Sequence, residues 1–202
     1  MALDDGLVKY CESLKELVKQ LNIEIIILCD GGCDSIMTGI EKELGTPVED
    51  IMSMIATFNS KVKSYLITLG STVDTFGEID RNDFLKNIEE LEKKGLLLDK
   101  LNLTMEMDNV QKYVDVTEKC SLWRSMVNTS IVAKLKKMNN DDIRNILIDR
   151  NIDTNSFIFD DYITTCYLFN LNDILFRIRY VHLIFNLDDS DGIDDVIMNY
   201  NG

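Results

Sequence analysis

The sequence predicts an α/β fold: a Rossmann-like, three-layer αβα arrangement on a mostly parallel sheet, with a helix-rich second half. Three observations carry that expectation. Residues 23–29 form a nearly unbroken apolar, β-branched run, the pattern of a strand buried on both faces. Segments 62–69 and 96–103 read as two further strands. Helical periodicity over 46–58 and 80–94 separates the three, and strand alternating with helix is the grammar of a doubly wound sheet.

The elements follow in order. Leu7, Tyr10, Leu14, Leu17, Val18 and Leu21 recur at helical spacing, Glu12, Lys15, Glu16 and Lys19 take the other face, and Asn22 closes the helix. The second helix has a marked start: Thr46 as N-cap, Pro47 at the first helical position, Glu49 completing the capping box. Ile51, Ile55 and Phe58 give it an apolar stripe. Gly70 ends the second strand. The third helix buries Phe84, Ile88 and Leu91 and stops at Gly95. Beyond it, Asp108 and Gln111 cap a helix running to Lys119, 125–138 reads as another, and 139–142 breaks the pattern before 143–148. A short strand is predicted over 156–159, a long helix over 161–180 with Ile163, Tyr167, Leu171 and Ile174 inward, and a last strand over 181–187. Without an internal repeat or a Pro/Gly/Ser linker, residues 1–202 read as one domain, with 187–202 an acidic C-terminal tail and helix.

Composition narrows the function. A chain of 202 residues builds a core without disulfides or structural metal. Its net charge of −14 repels nucleic-acid backbones and anionic lipid, so neither is an expected partner. The short basic runs 134–137 and 177–179 are flanked by acids and read as solvated helix faces. Five cysteines form no paired framework, and Cys29 with Cys33 match neither a redox nor a zinc-ribbon spacing. The N-terminus MALDDGLVKY is too acidic for a signal peptide, and no apolar run reaches the ~20 residues of a membrane span. A cytoplasmic location is expected.

Ligands of open α/β sheets bind beyond the carboxyl ends of the strands. The first loop there is Asp30-Gly31-Gly32-Cys33-Asp34-Ser35. Its glycines allow a sharp turn whose amides cradle an anion, and Asp30 with Asp34 could hold Mg²⁺ or steer a hydroxyl-rich ligand. The plain alternative is a tight turn in which both aspartates cap local amides. In the second loop, Gly70, Ser71, Thr72 and Asp74 would face the first if the two strands are neighbours. Asn128 belongs to a third polar cluster, 128–130, most simply a helix start. The candidate metal ligands are therefore Asp30, Asp34 and Asp74. The candidate ligand-binding residues are Gly31, Gly32, Ser35, Gly70, Ser71, Thr72 and Asn128. Glu41, in the link between Ser35 and Thr46, could fold over the site, but that polar link reads more simply as a solvated loop.

Walker, dinucleotide and nucleophile-elbow motifs are all absent. His182 is the single histidine, in an apolar run, and reads as a core residue; any histidine-dependent triad would have to use it. The stretch 188–192 fails as a calcium loop, because Leu187 and Met198 stand where carboxylates are needed.

The stretch from Leu28 to Gly39, then Leu44-Gly45-Thr46-Pro47-Val48-Glu49-Asp50, resembles an uncharacterised family catalogued as domain of unknown function number 1152. Leu69-Gly70, Val73-Asp74-Thr75-Phe76 and Asn128-Thr129-Ser130-Ile131-Val132 are similar to it in the same order, over roughly residues 23–180. The resemblance implies the α/β fold and no particular activity. That family begins with a further strand and a glycine-rich, acidic turn, whereas this chain opens on a polar helix. A shortened member or a piece of a longer protein is implied, with a sheet edge left for a partner chain or a second copy to cover.

Two functions are in view. One is a ligand-binding domain or enzyme using Asp30, Asp34 and Asp74 to hold Mg²⁺ or a small polar or phosphorylated molecule. The other is a non-catalytic interaction or scaffold protein. No other cofactor is indicated.

Overall fold

The computed structural model describes residues 6–42, 44–73, 79–120, 125–148, 159–185, 187 and 190–200. Among them the order is α1 (Leu7–Leu21), β1 (Ile25–Asp30), α2 (Val48–Asn59), β2 (Lys63–Thr68), α3 (Arg81–Lys93), β3 (Leu97–Asn102), α4 (Asp108–Lys119), α5 (Met126–Leu135), α6 (Asn140–Ile148), β4 (Thr165–Asn170), α7 (Leu171–Leu175), α8 (Val181–Ile184) and α9 (Ser190–Asn199). Short 3-10 turns cover Asp34–Ile36 and Asp161–Thr164.

The first five predicted elements are present, with boundaries moved by a residue or two. Asn22 closes α1 with φ 50°, and the Asp80 side chain caps α3 by accepting from the Asn82 amide at 2.6 Å. The predicted capping box is not there: α2 starts at Val48, and Pro47 takes the cap position without a side-chain bond.

The sheet has four strands in the order β1-β2-β4-β3. β1 and β2 are parallel neighbours, in register from Ile25 opposite Lys63 to Asp30 opposite Thr68. β4 runs antiparallel to both β2 and β3. The expectation of a mostly parallel, Rossmann-like sheet is therefore corrected: β1, β2 and β3 point the same way, but β4 separates β3 from the other two and leaves one parallel pair. The long helix predicted over 161–180 misled that reading. Ile163, Tyr167, Leu171 and Ile174 are all at most 1% exposed, yet they lie on a turn, a strand and a short helix. Within 165–170, burial alternates with period two, Thr165, Tyr167 and Phe169 facing in. Residues 181–184 are a helical turn instead of a strand. The strand predicted over 156–159 falls outside the described residues except for Phe159, which is buried in irregular chain.

β1 lies at the edge of the sheet and is buried on one face only. Ile25 and Ile27 on its outer side are 51% and 53% exposed. The inner side of the sheet packs α1, α2, α7 and α9 into one hydrophobic core. A second core gathers α4, α5 and α6 around Val73, Phe159 and Ile163 beyond the strand ends. Among the described residues, no helix is long and apolar enough to cross a membrane.

Candidate functional site

Parallel neighbours leave a sheet at the same end, so the 30–35 and 70–73 loops lie side by side. The Leu69 amide donates to the Asp30 carbonyl at 3.0 Å and carries the ladder past the last strand pair. From Asp30 the chain bends at Gly31 and Gly32 into the turn Asp34–Ile36. That turn returns Ser35, whose Oγ donates to Asp30 Oδ2 at 2.5 Å, with both side chains buried.

Asp34, 6% exposed, serves the start of α2. Its Oδ2 accepts from the Thr46 amide at 3.2 Å. Gly45, at φ +73°, packs against it so closely that a Cβ would stand 2.8 Å from Asp34 Cβ. In the first turn of α2, Asp50 comes down on the same spot. Carboxylate oxygens of Asp30, Asp34 and Asp50 all lie within 4.8 Å of one another. Three such charges repel, and the positive end of the α2 dipole only partly offsets this. A divalent cation would neutralise them. Oxygens sharing one Mg²⁺ or Ca²⁺ stand no more than about 4–5 Å apart, so carboxylates gathered this closely suit either cation.

The other predicted residues disperse. Gly31 and Gly70 both face Val127 at the start of α5. A Cβ on Gly31 would lie 3.9 Å from Val127 Cγ1, and one on Gly70, where φ is +81°, only 2.4 Å. The glycine turn thus receives a valine methyl where an anion was expected. Gly32 is buried. Ser71 Oγ is enclosed without a hydrogen-bond partner. Thr72 turns to Asp160, donating to its Oδ1 at 2.8 Å. Asn128 is exposed and its Oδ1 accepts from Tyr113 Oη at 2.7 Å. Asp74 lies outside the described residues.

Two residues, Asp50 and Asp160, escaped the sequence reading, and a third, Glu41, was misread. Asp50 left a usable signal: an acid in the first turn of a helix following a buried strand faces that strand's carboxyl end. Asp160 left none, since its partners are remote: besides Thr72, it takes Arg81 Nε and Nη2, both at 2.8 Å. Glu41 is not solvated as predicted. Its carboxylate accepts from the successive amides of Thr38, Gly39 and Ile40 and from Asn87 Nδ2 at 2.7 Å. Burial pushes its pKa up, but these bonds outweigh that and hold it below the usual carboxylate value.

Nucleophilic chemistry finds little support. Burial, and after it the Asp30 carboxylate, pushes the Cys29 thiol up, which keeps it protonated. His182 is exposed and not a core residue, because 181–184 is helical and turns it outward.

Residues 1–154 match a family model described as a protein of unknown function, DUF1152. Comparison with curated proteins and with solved structures gives no match.

Proposed function

We propose, from the premise that this chain belongs to the DUF1152 family of proteins of unknown function, that it binds a divalent cation through Asp30, Asp34 and Asp50 and presents it to a small polar ligand at the carboxyl ends of β1 and β2. One observation carries this reading. Three carboxylates, two from the 30–34 loop and one from the first turn of α2, converge within 4.8 Å, two of them on buried side chains, where gathering negative charge is costly. Ser35, bonded to Asp30, fixes that carboxylate's orientation, as an outer-shell partner does for a metal ligand.

The test is a thermal melt and a calorimetric titration with Mg²⁺, Mn²⁺ and Ca²⁺. Cation at 100 times its Kd adds about 2.7 kcal/mol, a rise in Tm of about 5–10 °C for a domain this size. Asp34→Asn and Asp50→Asn should each abolish the rise. No rise with any of the three cations, or an equal rise in both variants, ends the proposal.

A second, architectural reading is favoured by Val127 filling the space over Gly70. Under it the loops survive as packing, Asp34 only holds the start of α2, and the protein is a scaffold. The same titration separates the two.

A further inference from the structure

Away from the carboxylate cluster, five cationic side chains of this strongly acidic chain converge on one cavity of about 310 Å³: Lys42, Lys86, Lys94, Arg177 and Arg179. One wall is a face of α3, where Lys86, Asn87, Glu90 and Lys94 recur at helical spacing. The other is the 38–42 loop, tied to the segment after α7 by the Arg179 amide, which donates to the Thr38 carbonyl at 2.9 Å. The 177–179 run, read from the sequence as a solvated helix face, is thus half of a concave site.

The acids in the wall do not neutralise it. Glu41, Asp83 and Glu90 are three against five, and Glu41 is already engaged by three backbone amides and Asn87. Arg177 is fixed by its Nη2, which donates to Asn87 Oδ1 at 3.2 Å and lies 3.8 Å from Glu90 Oε2. Its Nη1 is enclosed and has no hydrogen-bond partner among the described residues. A buried charged donor without an acceptor is an unmet demand for an oxygen. The Lys86 and Arg179 side chains are in no ion pair among the described residues.

We infer that this cavity binds a small phosphorylated molecule, its phosphoryl oxygens meeting Arg177, Arg179 and Lys86, and its hydroxylated body lying along Asp83 and Glu90. The guanidinium fork matches phosphate oxygens in pairs, and the flanking lysines add charge without demanding geometry. The volume is at the small end of ligand pockets, right for a sugar phosphate and too small for a dinucleotide. The inference is independent of the cation site.

Calorimetry on the intact chain tests it, with inorganic phosphate, glucose 6-phosphate and glucose as probes at constant ionic strength set with NaCl. Phosphate and glucose 6-phosphate should bind saturably, the ester more tightly, and glucose not at all. Lys86→Glu and Arg179→Glu alter partly exposed side chains, and each should weaken binding at least tenfold. Lys19→Glu on α1 should change it less than twofold, and Asp34→Asn with EDTA present should leave it intact. Arg177→Lys keeps the charge but loses the fork, and should weaken the ester about tenfold with an unchanged far-UV spectrum. No saturable binding of phosphate overturns the inference, as does binding indifferent to Lys86→Glu and Arg179→Glu.

Discussion

Gly70 joins the two strand-end loops to the second core, and its backbone does so only because it lacks a side chain. At φ +81° and with Val127 Cγ1 2.4 Å from where a Cβ would be, Gly70→Ala combines left-handed strain with overpacking, about 2–4 kcal/mol together. Urea denaturation of Gly70→Ala, Val127→Ala and the double variant checks this. The double variant should be at least about 1 kcal/mol more stable than the sum of the single losses, since it removes the clash but not the strain. Glu41 offers a pH test. Its folded carboxyl titrates below its ordinary value of 4.5, so its ionised form contributes stability above that pH, and the contribution is lost as pH falls through the lower folded value. Glu41→Gln should cost about 1 kcal/mol at neutral pH and flatten the acid limb of the stability curve below about pH 4.5. The turn at Gly70 was legible from its neighbours in sequence. Its packing partner and the amides around Glu41 were not, because close approach across a fold leaves no local pattern.

Among the elements, β4 decides the most and was the least legible. Its residues Tyr167 and Phe169 are fully buried in the core, yet the spacing of Tyr167 with Ile163, Leu171 and Ile174 imitates a helix face. Phe169→Ala should cost about 3–5 kcal/mol, as a large core truncation does. Leu98→Ala on β3, where the side chain is 46% exposed, should stay within about 0.5 kcal/mol. Chemical denaturation of both variants is the check, and equal losses would mean that 165–170 is not a central strand. α2 was found easily, but not the way it starts: Asp34, reaching the Thr46 amide from the end of β1, takes the bond the capping box assigned to Glu49.

At the scale of the whole molecule, the two hydrophobic cores are joined through the strands of the sheet, which, with the residues flanking them, feed both. Ile163 belongs to the second core and Tyr167 and Phe169 to the first, all within the turn and strand 161–170. We propose on this basis that the chain unfolds as one domain, with near- and far-UV circular dichroism giving coincident urea transitions. Two separated transitions would divide it into an αβ unit and a helical one. The same two-core arrangement explains the distribution of charge. The acids at the strand ends and the cations around Arg177 gather at different places, the cations in a cavity of their own.

The sequence by itself determined the α/β class, the segments that become β1 and β2, the closeness of Asp30 to Asp34 and the family, while leaving open whether those two strands are neighbours, because periodicity, caps and glycine turns act over a few residues. The tertiary structure alone decided the antiparallel place of β4, the addition of Asp50, the valine over the glycine turn and the cationic cavity. Each of those depends on which distant surfaces bury one another. That is a choice made by the free energy of the whole chain, and no window of neighbouring residues contains it.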